Sequence, residues 1–441
     1  MYKLYLEQKT DKILLKLTIN RTQFENRNIF FFAFAKRRSS IDEGRLLDTD
    51  FQKEENKYYA VIECDVSSDE INAIAGCIKL ESGKIYKMIE VYRDREWIRD
   101  ISIIPYPRRM IGFSLTNQCN LNCEMCWQID RSHKQYASYE MICKTLEDIK
   151  ALGNPPIYLW GGEPFLHPEL QKIIKKIREI GLFSIVNTNG TMILSCAEKI
   201  VECPPDMIII SIDGTEIIHD KIRGKKGTYK RVIEGIKKLN SIKKARPLIA
   251  INCVITEDNY RILPELEALR NDVNGSFLEY QLMMFYSEDE KAAYKKRLKE
   301  EFFIEAKSVD GYPTSMGNID FNDLWNILEA VTSKPRNRDR LFPYKVKTIE
   351  ALEDYIYHPN NLCDKRCESI SSAMWVEADG TVYPCSNFTD FYVGNVYSSD
   401  LLDIWNNNDF LSFRDKLNHR LFSICGRCCD MYKTDLFQSG S

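Results

Sequence analysis

The sequence has no long apolar run. Its longest strongly apolar stretch, Ile29–Ala35, is seven residues, far below the roughly 20 that a membrane-spanning helix needs. No charged-then-apolar leader with a small-residue cleavage site opens it. The expectation is a cytoplasmic protein with no membrane partner. Charge of one sign is equally scarce. The chain carries 61 Lys and Arg against 64 Asp and Glu, a net charge of -3, which gives no basis for a nucleic-acid partner. Histidine is rare, with five in 441 residues. No Ser-His-Asp order, P-loop or zinc-protease signature is found, so a histidine-based catalytic site is not expected, and His167 and His219 read as structural. Low-complexity segments are absent.

Cysteine is what the chain has in quantity, 15 in all. In a reduced compartment disulfides are not expected, and metal ligation is the better reading. Six cysteines (Cys64, Cys77, Cys143, Cys196, Cys203 and Cys253) are scattered and read as buried structural thiols. The other nine fall in two groups, over 119–126 and 363–429.

Residues 1–105 read as strand. Tyr2–Glu7, Ile13–Ile19, Ile29–Ala35, Tyr58–Cys64 and Ile85–Tyr92 are rich in Ile, Val, Tyr and Phe between polar turns, the pattern of a small antiparallel, sandwich-like accessory or recognition domain. From Ile111 strands alternate with amphipathic helices. Strands are expected at Ile111–Thr116, Ile157–Trp160, Phe183–Thr188, Met207–Ile212, Ile249–Ile255 and Phe277–Met283. Helices are expected at Tyr139–Ala151, Glu169–Ile180, Ser195–Val201, Tyr229–Asn240 and Asn259–Arg270. Such alternation implies an α/β fold, a parallel sheet with helices outside it. Ser287–Lys307 reads as a solvated helix and Asp320–Thr332 as an amphipathic one. Residues 291–360 are expected to form a helical linker region, with Pro335–Arg340 a connector within it. Residues 361–432 are short, turn-rich and dense in cysteine, and a segment of that kind often needs a metal to hold it.

In the first group, Cys119-Asn-Leu-Asn-Cys123-Glu-Met-Cys126-Trp127 follows directly after a strand. Three thiolates on one short loop can wrap an iron–sulfur core and leave one iron open. On spacing alone a structural zinc site completed by a distant residue stays open as well.

This loop resembles the cluster-binding signature of the radical S-adenosylmethionine (SAM) superfamily, with the aromatic Trp127 in the usual next position. Supporting segments follow in order. Trp160-Gly161-Gly162-Glu163-Pro164 resembles the family's GGEP element, and Asn187-Thr188-Asn189-Gly190, Ser211-Ile-Asp213-Gly214 and His219-Asp220-Lys-Ile-Arg223-Gly224 resemble segments around SAM. Each sits at or beyond the C-terminal end of an expected strand, where ligand sites form in parallel α/β folds. The resemblance covers about 110–290 and implies a partial (β/α)6 barrel, placed at 108–290. It implies a [4Fe-4S] cluster on Cys119, Cys123 and Cys126. It also implies SAM contacts from Trp127, Gly161, Gly162, Glu163, Asn189, Ser211, Asp213 and Arg223, and a flavodoxin- or ferredoxin-like low-potential electron donor.

In the second group, a hairpin turning at Asp379-Gly380 brings Cys367 and Cys385 together, and the knuckle Cys425-Gly-Arg-Cys428 can complete four ligands. Tetrahedral zinc stays open at this level. The arrangement resembles the SPASM auxiliary-cluster domain in its shortened, twitch-like form. That resemblance implies one auxiliary [4Fe-4S] cluster on Cys367, Cys385, Cys425 and Cys428, with Cys363 and Cys429 as spare thiols. The activity implied is reductive cleavage of SAM followed by hydrogen abstraction from a carbohydrate-like or other small-molecule substrate. A peptide- or protein-modifying maturase is the alternative, and a metal-stabilised binding scaffold without catalysis is the alternative of a different class. Glycans and peptides therefore both stand among the expected partners.

Overall fold

The computed structural model of the chain describes the backbone of the strands lying between residues 2 and 103. It also describes residues 110–127, 133–151, 155–242, 247–332, 340–343, 346–362, 367, 369–371 and 373–428. Cys363 and Cys429, and the side chains of Cys64 and Cys77, lie outside the described residues. The chain divides into two compact units, Met1–Arg108 and Arg109–Ser441.

The first unit is antiparallel β. It contains β1 (Tyr2–Lys9), β2 (Lys12–Asn20), β3 (Ile29–Arg37), β4 (Gly44–Thr49), β5 (Gln52–Glu54), β6 (Lys57–Cys64), β7 (Ile71–Leu80), β8 (Ile85–Val91) and β9 (Ile101–Ile103). These make a five-stranded sheet, ordered β5-β6-β2-β1-β9, and a four-stranded one, β4-β3-β7-β8. All five strands read from the sequence are present. β7 was not expected: its Ala, Gly and Cys dilute the branched and aromatic signal that marks a strand.

The second unit is built on a parallel sheet. Its six expected strands are β10 (Met110–Ser114), β11 (Ile157–Trp160), β12 (Ser184–Thr188), β13 (Met207–Ser211), β14 (Leu248–Ile255) and β15 (Phe277–Leu282), hydrogen-bonded in that order. Two further parallel strands extend the edges. β16 (Arg340–Phe342) pairs with β15, and β17 (Ala373–Val376) pairs with β10. An antiparallel tail of β18 (Thr381–Tyr383) and β19 (Gly394–Asn395) completes ten strands. The turn at Asp379-Gly380 is the expected hairpin, with Gly380 at φ +81°, a left-handed conformation that glycine adopts without a steric penalty.

The helices α1 (Tyr139–Ala151), α2 (Leu170–Glu179), α3 (Ile193–Glu202), α4 (Glu216–Ile222), α5 (Thr228–Ser241) and α6 (Glu265–Asp272) connect the strands. In α2, Leu170, Ile173, Ile174 and Ile177 are buried while Lys172 and Lys175 point outward, the stripe that 3.6-residue periodicity produces. β10 and β13 are buried almost throughout, as expected for parallel strands covered on both faces. The helix expected over Asn259–Arg270 is broken: Pro264 stands between a turn at Tyr260–Ile262 and α6, since proline cannot donate to the preceding turn.

After the barrel come α7 (Glu288–Phe302), α8 (Phe321–Thr332), α9 (Ile349–Tyr357), α10 (Leu401–Asn406) and α11 (Asn408–His419). The expectation that Ser287–Lys307 is a solvated helix is corrected. Glu290, Lys291, Tyr294 and Leu298 form a buried face of α7. Glu290 pairs with buried Arg427 of the C-terminal knuckle, and Tyr294 packs on Phe388 and Phe422. A polar sequence hid this face because its charged members are buried as partners. The scattered cysteines need a correction too. Among those described, Cys253 is buried, whereas Cys143, Cys196 and Cys203 are partly exposed.

Trp375 on β17 locks the C-terminal strands into the barrel. Its ring fills the space above Gly112 so closely that a Cβ there would meet it at 2.3 Å. The same ring lies edge-on to Trp160 (5.4 Å) and Tyr158 (6.1 Å).

Candidate functional site

One cavity of about 560 Å³ is walled by β10–β15, and the triad loop lines it. Cys119, Cys123 and Cys126 face it together with Trp127, Gly161, Gly162, Asn189, Ser211 and Arg223. The lower wall is apolar and rich in Met and aromatic residues, including Met207, Phe277 and Trp375. Ser386 and Asn387, the residues directly after Cys385, close another side.

The triad loop is held by the backbone of the element it resembles the family in. The N–H of Gly162 donates to the Thr116 carbonyl (2.6 Å) and that of Glu163 to Gln118 (2.8 Å). A Cβ on Gly162 would lie 2.2 Å from the Gln118 oxygen. The first demand on this glycine is thus the close approach of the triad loop itself. Glu163 is fully buried and stands behind the cavity wall. It accepts from the N–H groups of Phe165 (3.0 Å) and Asn189 (2.8 Å) and the Thr188 hydroxyl (2.7 Å). Its carboxylate ties the end of β11 to the end of β12. Burial raises its pKa despite these donors. Asn189 lines the cavity and clamps the loop, its Nδ2 lying 3.7 Å from Cys119 Sγ and 2.9 Å from Asn120 Oδ1.

Asp213 also stands behind the wall. It is fully buried and accepts from Arg223 Nε (2.5 Å) and the Val254 N–H (3.0 Å), so its contact with the site runs through Arg223. Arg223 Nη1 reaches Cys123 Sγ at 3.8 Å. Its Nη2 is buried and has no hydrogen-bond partner among the described residues, in a side chain that lines the cavity. Burial opposes the guanidinium charge, but Asp213 and Cys123 outweigh it and hold Arg223 protonated. Burial pushes the Cys123 thiol up, and Arg223 pulls the other way. His219 Nδ1 accepts the Asp213 N–H (3.2 Å), and His167 bonds the Ala137 carbonyl (2.8 Å). Both are structural, as expected.

Trp127 stacks on Tyr312 (5.5 Å, 11°) and leans on Trp160 (6.3 Å). Tyr312, Trp375 and Asn387 carried no signal in the sequence beyond residue type. Asn387 stood two places from a cysteine, the one hint available.

In the second cysteine group, Cys367, Cys425 and Cys428 lie near enough to Cys385 to act on its charge. Cys385 is buried, and its thiol is pushed well up by burial and then by Cys428, Cys367 and Cys425. Asn387 Nδ2 donates to Cys428 Sγ at 3.2 Å. Among the described residues no three His, Cys, Asp or Glu side chains converge on a single metal ion. Neighbouring thiols are the donor set that a cationic iron–sulfur core stabilises as thiolates. The triad fits a cluster on the same chemistry: it offers three thiols, with amide and guanidinium donors to two of the sulfurs. Arg223 and the polar strand ends fit the carboxylate and other polar parts of SAM.

Comparison with known proteins agrees. Residues 113–264 match the radical SAM superfamily, and residues 367–429 match the SPASM iron–sulfur cluster-binding domain. The chain is 26% identical over 338 residues to pre-heme d1 synthase of Dinoroseobacter shibae, covering 73% of this chain and 78% of that protein. It is 24% identical over 357 residues to a cysteine-type anaerobic sulfatase-maturating enzyme of Clostridium novyi, covering 74% and 88%. The fold resembles that of Streptococcus suis SuiB bound to S-adenosylmethionine, with a TM-score of 0.52 at 17% identity over 73% of this chain and 72% of that one. This chain belongs to the radical SAM superfamily, as an enzyme that uses S-adenosylmethionine and iron–sulfur clusters and carries a SPASM domain.

Proposed function

We propose that the chain abstracts hydrogen from a small molecule held in the cavity between its two cysteine sites. The observation that carries this reading is the shared wall: the triad, the strand ends and the Ser386-Asn387 segment of the auxiliary site line one cavity. When bound, the triad cluster and SAM supply an electron and a 5′-deoxyadenosyl radical able to take hydrogen from an unactivated C–H bond. Cys119, Cys123 and Cys126 hold the cluster. Arg223 receives the SAM carboxylate, with Asn189 and Ser211 near its other polar parts. Cys367, Cys385, Cys425 and Cys428 hold one auxiliary [4Fe-4S] cluster, and Asn387 sets its cavity-facing side. The apolar, aromatic lower wall excludes water and favours a substrate that presents a ring face, a carbohydrate-like ring among them. Residues 1–105 form an accessory recognition domain, 108–290 the catalytic barrel, 291–360 the linking region and 361–432 the auxiliary domain. No described helix is long and apolar enough to cross a membrane, which suits a cytoplasmic enzyme.

Modification of a peptide or protein is the second reading, favoured by the sulfatase-maturating relative. The test is 5′-deoxyadenosine formation by anaerobically reconstituted, reduced protein, with small-molecule and peptide panels added. Cleavage that is lost in C119A/C123A/C126A and stimulated by one panel member supports the proposal and names the class. An iron-loaded protein that neither binds nor cleaves SAM overturns it.

A further inference from the structure

Between α4 and α5 the chain runs Lys221-Ile-Arg223-Gly-Lys225-Lys226-Gly-Thr-Tyr-Lys230-Arg231, six cations and no acid in a chain of net charge -3. Arg223 is turned inward, while Lys221, Lys225, Lys226, Lys230 and Arg231 are exposed. Lys221 at the start of the run pairs with Asp258 (2.7 Å), and Glu124 and Glu257 lie close to the same ammonium. Glu234 follows one turn after Lys230 on α5, and Glu216 and Asp272 lie near Tyr229. Asp220 is engaged in capping the N–H groups of Gly227 and Tyr229. Lys225, Lys226, Lys230 and Arg231 make no ion pair among the described residues.

The same turn forms one side of the triad loop. The Ile222 carbonyl accepts the N–H of Glu124 (3.4 Å). Gly224, at φ +67°, backs onto Asn122 so closely that a Cβ would lie 2.4 Å from its carbonyl oxygen. Lys225 Nζ reaches the Asn120 carbonyl at 3.5 Å, one residue from Cys119. One short segment thus presents cations to solvent on its outer side and touches the cysteine loop on its inner side.

We propose that Lys225, Lys226, Lys230 and Arg231 are the docking surface for an acidic one-electron carrier protein of the flavodoxin or ferredoxin class. This rests on the reading of Cys119, Cys123 and Cys126 as cluster ligands. The carrier loses one electron and the triad cluster gains it, and no bond or proton changes place. Tunnelling rates fall steeply with distance, so a donor must seat where the cluster is nearest the surface. Complementary charge speeds that encounter and orients it.

The test measures anaerobic stopped-flow reduction of the reconstituted holoprotein by flavodoxin hydroquinone and, separately, by dithionite, for wild type and K226E/K230E/R231E. The expected result is a flavodoxin rate lowered about tenfold or more at low salt, with iron content and the dithionite rate unchanged. Wild type should also slow as salt rises while the variant does not. Equal flavodoxin rates in the two proteins, with dithionite reducing both, overturn the docking surface. Wild type that neither reductant reduces overturns the cluster reading, and the docking surface falls with it.

Discussion

Arg223 Nη1 lies 3.8 Å from Cys123 Sγ across 100 residues of sequence, while its Nε holds Asp213 at 2.5 Å. The guanidinium fork therefore joins a cluster-loop sulfur to the barrel core, in a side chain that lines the cavity, and its remaining nitrogen is buried with no hydrogen-bond partner among the described residues. Lysine keeps the charge but has no fork. In R223K, SAM affinity is expected to fall about tenfold, the loss of one charge-assisted hydrogen bond of roughly 1.5–3 kcal/mol being partly offset by the retained charge. Anaerobic calorimetry on iron-loaded protein measures it. An unchanged Kd would show that the guanidinium does not meet the ligand.

Asn387 has the corresponding place at the auxiliary site. Its amide donor to Cys428 Sγ withdraws charge from that sulfur and favours the more negative, reduced cluster. Replacing it with leucine is expected to lower the auxiliary midpoint potential and shift its EPR signal while iron content stays intact. A redox titration monitored by EPR checks this; a wild-type potential in N387L would leave the hydrogen bond without electronic effect.

His219 makes stability depend on pH. Burial lowers its pKa from 6.5 to about 4, so the unfolded chain binds a proton that the folded one refuses between those values. Its contribution is fully present above about pH 6.5 and is lost progressively as pH falls toward 4, by up to about 3 kcal/mol. Urea midpoints across pH 4–7 should flatten in H219N relative to wild type.

Trp375 should be worth most to the union of the barrel and the C-terminal strands. It is 4% exposed and fills the space over Gly112. W375A is expected to cost about 3–5 kcal/mol, seen as a lower urea midpoint. G112V should do comparable damage by a clash in the same place. If G112V melts like wild type, the ring is not held there.

Gly162 makes a sharper test of the triad loop. A methyl group at 2.2 Å from the Gln118 oxygen cannot be accommodated without moving backbone. G162A is therefore expected to lose iron at the triad and keep it at the auxiliary site, which iron and sulfide analysis with EPR separates.

Much of this was legible in the chain itself. The triad, the order of the strand-end segments and the β-α alternation are local patterns, set by spacing and periodicity, and they were enough to place the barrel and the cysteine groups. The hairpin at Asp379-Gly380 was legible for the same reason: a left-handed turn requires a residue without Cβ. Other features depend on what meets across long separations. That Glu163 and Asp213 stand behind the cavity wall rather than on it follows from burial and from partners on neighbouring strands. β16 and β17 are three and four residues long, too short for a periodic signal, and are strands because β15 and β10 offer them backbone partners. The buried face of α7 exists because Arg427 arrives from 137 residues away to meet Glu290. The sequence by itself determined the chemistry the protein can hold, because ligand type and local spacing are written in adjacent residues. Only the tertiary structure decided that the triad and the Ser386-Asn387 segment beside Cys385 line one cavity, because that depends on β17 pairing with β10 and on Trp375 finding the space over Gly112.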